Sequence, residues 1–177
     1  MLQMVQLIPN TLILHSNKIT DMSIQIGQVA PDFTLYNTDK EQVSLSTMQG
    51  KNVLILFFPF AFTGVCTQEL CSTRDNIAMY QHANAEVVGI SVDSPFTLKK
   101  FKDDLNLNFP LLSDFNKEVA TAYNCLYDTF ALGTKGVAKR SAFVIDKAGV
   151  VRYAEVLENA GEIPNFAAIQ ECLKGLN

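Results

Sequence analysis

The sequence predicts an α/β fold: a central mixed β-sheet flanked by helices, with an N-terminal β extension. Three observations carry the prediction. Short apolar runs alternate with segments of helical period along most of the chain. Val53 to Phe58 is apolar without interruption, as a strand buried on both faces requires. A two-strand hairpin pattern and a last helix close the chain, so the sheet is mixed rather than purely parallel. A length of 177 residues suits one domain, and 48% apolar against 18% charged residues is the composition of a globular chain.

Residues 1–22 are expected to form a tail outside the fold, and residues 23–177 a single domain. The tail is moderately apolar, but Lys18 is its only Lys or Arg, and Leu12-Ile13-Leu14 is too short for the apolar run of a secretory signal. Met22 is an alternative start. Phe33 to Tyr36 and Gln42 to Leu45 read as short strands around the turn-forming Asn37-Thr38-Asp39. Val53 to Phe58 is the central strand, followed by a helical pattern from about Gly64 to His82. Glu86 to Val92 is a second buried strand, closed by Asp93-Ser94-Pro95. Phe96 to Leu105 is an amphipathic helix with Leu98, Phe101 and Leu105 on one face. Phe109 to Leu112 reads as a short strand and Lys117 to Tyr123 as a short helix. Ser141 to Ile145 and Val150 to Val156 are strands joined by the hairpin signal Asp146-Lys147-Ala148-Gly149. The last helix starts near Pro164, a residue suited to the first helical position, and runs to Lys174. This order fits a thioredoxin-like core with insertions.

Charge and cysteine usage narrow the function. Lys plus Arg number 14 and Asp plus Glu 18, a net charge of −4. With no basic run, a nucleic-acid partner is not expected. No apolar stretch approaches the ~18 residues of a membrane span. Four cysteines in a chain of this length do not suggest a disulfide-stapled secreted scaffold, so a reducing, cytoplasmic setting is expected.

The chemistry concentrates where the central strand ends. Pro59 cannot donate to a ladder, so the strand stops there. A helix begins at about Thr63 or Gly64, which puts Cys66 in its first turn. Free backbone N–H groups and the positive end of the helix favour a thiolate over a thiol at that position. The other reading is a buried, inert cysteine. Thr63 suits an N-cap that bonds the N–H at about Cys66, and its hydroxyl also faces the volume of the sulfur. Pro, Thr and Cys at P-x3-T-x2-C across a strand-to-helix junction form a specific pattern. Arg140, taken alone, is a solvated cation at a strand start. Phe60, Phe62 and Val65 either line the approach to Cys66 or serve core or dimer packing.

The segment Pro59–Thr63–Cys66 resembles the active-site motif of the peroxiredoxins, thiol-dependent peroxidases on a thioredoxin-like fold. The resemblance runs from about Gln25 to Leu176. It includes Gly27-Gln28-Val29-Ala30-Pro31-Asp32-Phe33 and Arg140-Ser141-Ala142-Phe143-Val144-Ile145-Asp146. It implies that Cys66 is the peroxidatic cysteine, that Pro59 shields it, that Thr63 hydrogen-bonds the peroxide and that Arg140 completes the site. Glu69 matches the acidic residue of a Cys-x-x-Glu pattern that orients the arginine. By itself Glu69 is a first-turn residue favoured by the helix dipole. Arg74 is either a second cation near the thiolate or a surface partner of Asp75 or Glu69. The implied product is a sulfenic acid on Cys66 with water or an alcohol, from hydrogen peroxide or an organic hydroperoxide, and that step needs no metal, flavin or haem. The two histidines, His15 and His82, lie far from Cys66 in sequence.

Cys71 follows Cys66 at C-x4-C, a spacing that resembles the bacterioferritin comigratory protein branch. That resemblance implies that Cys71 resolves the sulfenic acid and that thioredoxin, glutaredoxin or a low-molecular-weight thiol re-reduces the pair. On an intact helix, residues five apart have Cα atoms about 8.7 Å apart, beyond the ~7 Å limit for a disulfide. The helix must therefore unwind before the two sulfurs join. The alternative is a structural Cys71 with recycling by an external thiol, as in the one-cysteine-like alkyl hydroperoxide reductases that the segment also resembles. The chain lacks a C-terminal Val-Cys-Pro and a Gly-Gly-Leu-Gly segment; Cys125 follows a short helix, and Cys172 is expected to be half-buried core. A homodimer is implied by the resemblance. Two rival functions stand beside the enzyme. A thiol–disulfide oxidoreductase would use Cys-x-x-Cys and a facing cis-Pro, where this chain has wider spacing and Arg140. A non-enzymatic holdase or redox-regulated binder is allowed by the acidic surface and the apolar tail.

Overall fold

The apolar run at the chain's centre forms the middle of a seven-stranded sheet. The structure is a computed structural model and describes residues 24–176; the expected tail, residues 1–22, lies outside the described residues. The strands are β1 (Thr34–Asn37), β2 (Gln42–Ser44), β3 (Asn52–Phe57), β4 (Ala85–Ser91), β5 (Leu111–Ser113), β6 (Leu126–Tyr127), β7 (Val137–Ala138), β8 (Ser141–Ile145) and β9 (Val151–Val156). The helices are α1 (Gly64–Asp75), α2 (Ile77–His82), α3 (Pro95–Leu105), α4 (Glu118–Ala122) and α5 (Phe166–Lys174).

The sheet order is β2-β1-β5-β4-β3-β8-β9. The pairs β3–β4 and β4–β5 are parallel and the others antiparallel, so the sheet is mixed as expected. Every residue of β3 is buried. The period of two sends Val53, Ile55 and Phe57 to one face and Leu54, Leu56 and Phe58 to the other. Leu70 of α1, Tyr80 of α2, Phe101 of α3 and Ile169 of α5 cover the second face. Val119 of α4 and Tyr123 cover the first. Each fully buried Leu, Ile or Phe side chain contributes about 1.5–3 kcal/mol of burial energy.

Three local expectations change, and one pair of strands is added. The single helix expected over Gly64 to His82 is broken at Asn76, whose side chain donates to the Ser72 carbonyl at 2.8 Å and whose φ of −106° and ψ of 13° leave the helical region. Pro164 precedes rather than opens the last helix; Asn165 is the N-cap and accepts from the Ala168 N–H at 3.1 Å. The strand expected from Phe109 starts at Leu111, because Pro110 has no N–H to pair. The two-residue strands β6 and β7 pair only with each other, too short for any periodicity to reveal them.

The antiparallel register of β8 against β3 pairs Phe57 with Ser141 and Leu56 with Ala142. The residue before β8 therefore lies beside the chain that leaves β3. That places Arg140 next to the Pro59–Cys66 segment, beyond the carboxyl ends of the parallel strands, where α/β sheets bind ligands.

Candidate active site

The last ladder bond near β3 runs from the Phe58 N–H to the Ile90 carbonyl at 3.0 Å. Pro59 then ends the pairing, and the loop to α1 is held from the neighbouring strand. The Ala61 N–H donates to the Asp93 carboxylate at 2.7 Å. The Ser91 hydroxyl donates to the same carboxylate at 2.9 Å and lies 3.3 Å from the Pro59 carbonyl. Phe62 turns the chain at a φ of 63°, a left-handed conformation that costs energy for a bulky residue. Its ring is exposed and packs on Phe101 with centroids 5.0 Å apart. Phe62 is therefore not part of the approach to Cys66, whereas Phe60 and Val65 line it.

Thr63 is the N-cap residue of α1, but it makes no side-chain cap bond. Its hydroxyl donates instead to the Phe60 carbonyl at 3.0 Å. The turn at Phe62 brings that carbonyl within reach and takes the hydroxyl's one proton. The expected bond to the N–H at Cys66 is thus replaced, and the oxygen's lone pairs remain free to accept. The first bond of the helix runs from the Thr67 N–H to the Thr63 carbonyl at 2.9 Å, so the N–H groups of Gly64, Val65 and Cys66 precede the ladder and have no partner among the described residues.

Cys66 is 1% exposed. Arg140 Nη2 donates to its sulfur at 3.3 Å and to the Ala160 carbonyl at 3.1 Å. Arg140 Nη1 donates to Glu69 Oε2. Both ends of this ion pair are buried, with side chains 1% and 0% exposed. Glu69 Oε1 and Arg140 Nε have no hydrogen-bond partner among the described residues. Burial pushes the Glu69 carboxyl up to about 7, against the pull of Arg140. A cavity of about 150 Å³ opens in front of the sulfur, lined by Pro59, Phe60, Thr63, Val65, Phe130 and Ala160 together with Cys66 and Arg140. Among the described residues, no group of three or more His, Cys, Asp or Glu side chains is placed to hold a metal ion.

The structure brings Pro59, Thr63, Cys66, Glu69 and Arg140 together. Arg74 lies apart from them: its guanidinium donates to Asp75 at 2.8 Å and to the Leu105 carbonyl at 2.5 Å, and it does not line the cavity. Of the two readings of Arg74, the surface partner of Asp75 is the one the structure adopts. Cys71 is half-buried on the unbroken α1, and all four cysteines are free thiols. Cys125 is buried, and burial pushes its thiol up to about 12. Cys172 is half-buried against the core, as expected.

Three residues of the site escaped the sequence reading. Asp93 had a signal, since it closes a buried strand at the same sheet end as Pro59. Phe130 and Ala160 had none; each arrives from a loop distant in sequence.

A sulfur held against a guanidinium, with unpaired N–H groups beneath and an apolar cavity in front, suits one class of reaction. It places donors where negative charge develops on an oxygen displaced next to the sulfur, which is what peroxide reduction by a thiol requires. Residues 26–154 match the family model described as AhpC/TSA family, and the chain belongs to that family of thiol-dependent peroxidases, the peroxiredoxins. It is 38% identical over 143 residues to alkyl hydroperoxide reductase E of Mycobacterium tuberculosis, covering 79% of this chain and 90% of that one. Its fold is similar to the crystal structure of peroxidoxin BcpB from Mycobacterium tuberculosis, with a TM-score of 0.77, 28% identity, and coverage of 87% of this chain and 99% of that one. A peroxiredoxin-like protein from Aquifex aeolicus superposes with a TM-score of 0.78 at 28% identity, covering 88% and 89% of the two chains.

Proposed function

We propose that Cys66 is the peroxidatic nucleophile and reduces hydrogen peroxide and organic hydroperoxides. The observation that carries this reading is the 3.3 Å contact from Arg140 Nη2 to the Cys66 sulfur at the base of the cavity. The sulfur attacks the terminal oxygen of the peroxide; an S–O bond forms and the O–O bond breaks. Sulfur is oxidised to a sulfenic acid, and the leaving oxygen takes a proton to become water or an alcohol. Arg140 and the N–H groups of Val65 and Cys66 stabilise charge on the departing oxygen. The Thr63 oxygen accepts from the peroxide's O–H, Pro59 shields the sulfur from water, and Glu69 orients Arg140.

Cys71 then resolves the sulfenic acid after the first turns of α1 unwind, and a thioredoxin-type donor, glutaredoxin or small thiol reduces the disulfide. The unbroken α1 favours a second reading, in which an external thiol recycles Cys66 directly. Among the described residues no helix is long and apolar enough to cross a membrane; we place the protein in the cytoplasm as a homodimer. The test is intact mass with a non-reducing peptide map after one equivalent of hydrogen peroxide. Loss of two hydrogens at Cys66–Cys71 supports the internal resolving route. A gain of one oxygen at Cys66 supports the external thiol. No rapid change at Cys66 overturns the peroxidase assignment of that residue.

A further inference from the structure

The sequence reading assigned no function to the segment between β6 and β7, yet it supplies a wall of the cavity. Residues 128–136 leave β6 and return by β7, with Leu126 paired to Ala138 and Tyr127 to Val137. The Phe130 N–H donates to the Thr134 carbonyl at 2.8 Å, and the Gly133 N–H donates to the Phe130 carbonyl at 3.1 Å. Leu132, Gly133 and Gly136 turn the chain with φ of 60°, 73° and 66°. The arm is tied to the loop after β9: the Tyr127 hydroxyl donates to the Glu158 carbonyl at 3.0 Å, and Lys139 pairs with the Glu158 carboxylate. Phe130 thereby holds its ring between Phe60, with centroids 5.9 Å apart, and Tyr127, with centroids 5.0 Å apart.

We propose that Phe130 is a specificity-determining residue that recognises the apolar group of an organic hydroperoxide; this rests on the assignment of Cys66 as the peroxidatic nucleophile. Thr63 and Arg140 are the polar residues that line the cavity with the Cys66 sulfur, and Phe60, Val65 and Phe130 give it its largest carbon surfaces. Hydrogen peroxide needs only the polar part. The cavity of about 150 Å³ is far larger than such a molecule fills, since one water occupies roughly 10–15 Å³ on the same kind of measure. An aryl or branched alkyl group on the second oxygen extends into the remaining space, against Phe60 and Phe130. The ring of Phe130 therefore lowers the barrier for a bulky hydroperoxide more than that for hydrogen peroxide. The chemical step is the same for both: the S–O bond forms, the O–O bond breaks, and the displaced oxygen takes the proton given up by the thiol, leaving as water from hydrogen peroxide and as the alcohol from an organic hydroperoxide.

The experiment measures second-order rate constants of Cys66 oxidation by rapid quench and mass analysis. Wild type, Phe130→Ala and Phe130→Leu are each compared with cumene hydroperoxide and with hydrogen peroxide. The expected result is a fall of about tenfold for Phe130→Ala with cumene hydroperoxide, a loss of the size expected when an apolar contact is removed. The loss with hydrogen peroxide is smaller, so the ratio of the two rate constants shifts toward hydrogen peroxide, and Phe130→Leu recovers most of that shift. Equal falls for both peroxides, or no change with either, overturn the role of Phe130 while leaving the peroxidase reading in place. A wild-type Cys66 inert to both peroxides overturns that reading and this inference together.

Discussion

Glu69 and Arg140 meet as a buried ion pair across 71 residues of sequence through Nη1, and Nη2 of the same guanidinium donates to the Cys66 sulfur and the Ala160 carbonyl. One buried guanidinium thus serves two acids. Burial lifts the Glu69 carboxyl from 4.5 to about 7 in the fold. Between those values the folded protein holds a proton that the unfolded chain has released, so stability falls as pH rises through that window. Glu69→Gln does not titrate. Melting temperatures of wild type and Glu69→Gln from pH 4 to 8 should diverge to the disadvantage of wild type between pH 4.5 and about 7, then run parallel. A constant difference across the window contradicts the raised carboxyl. Glu69→Ala leaves the guanidinium without its partner and should cost about 3–5 kcal/mol.

In the proposed mechanism Thr63 acts through its oxygen, and its side chain makes no cap bond. Its hydroxyl donates to Phe60 and makes no cap bond, so Thr63→Val should cost only about 0.5–1.5 kcal/mol of stability. The rate of Cys66 oxidation should fall by about tenfold to a hundredfold, the value of one hydrogen bond in the transition state. Thr63→Ser should keep most of the rate. A Thr63→Val variant that melts well below wild type yet reacts at the wild-type rate would reverse this assignment.

Asp93 positions the loop that carries Pro59 and Phe60. Its carboxylate accepts from the Ala61 N–H and from Ser91. Asp93→Ala should lower the rate about tenfold by loosening the approach, and Asp93→Asn, which still offers an acceptor to Ala61, should recover much of it. Amide hydrogen exchange at Ala61 reports the loop directly; unchanged protection in Asp93→Ala contradicts the anchoring role.

The cysteines should separate by reactivity. Burial holds the Cys125 thiol at about 12, so in native protein it should be the last cysteine labelled by iodoacetamide, and it should react only after unfolding. Early labelling of Cys125 would show that its core opens readily.

Resolution by Cys71 makes a structural prediction. Joining Cys66 and Cys71 requires unwinding part of α1, so peroxide should lower the helical circular dichroism signal of wild type but not of Cys71→Ser. Equal spectra for the two oxidised proteins would favour recycling by an external thiol.

What the sequence disclosed follows the range of the interactions. The buried β3, the helix start at Gly64 and the spacing of Pro59, Thr63 and Cys66 are local, and each was legible from apolar runs and a short motif. Arg140 was not legible from its own surroundings, because its place depends on the antiparallel register of β8 against β3; the family resemblance located it. Phe130 and Ala160 reach the cavity through loops with no period and no motif, and their packing exists only in the folded chain. The Thr63 hydroxyl was misassigned as a cap because the left-handed turn at Phe62, which offers it the Phe60 carbonyl, is unusual for a phenylalanine.

The most direct test of the account is the rate constant for Cys66 oxidation by hydrogen peroxide in Arg140→Gln. The account predicts a fall of about 10²–10³-fold, as for loss of a donor that stabilises developing charge. The Glu69→Gln, Arg140→Gln double variant, which leaves no buried carboxylate without its cation, should show the same loss. A wild-type rate in either variant would contradict the claim that the Arg140–Cys66 contact drives the reaction.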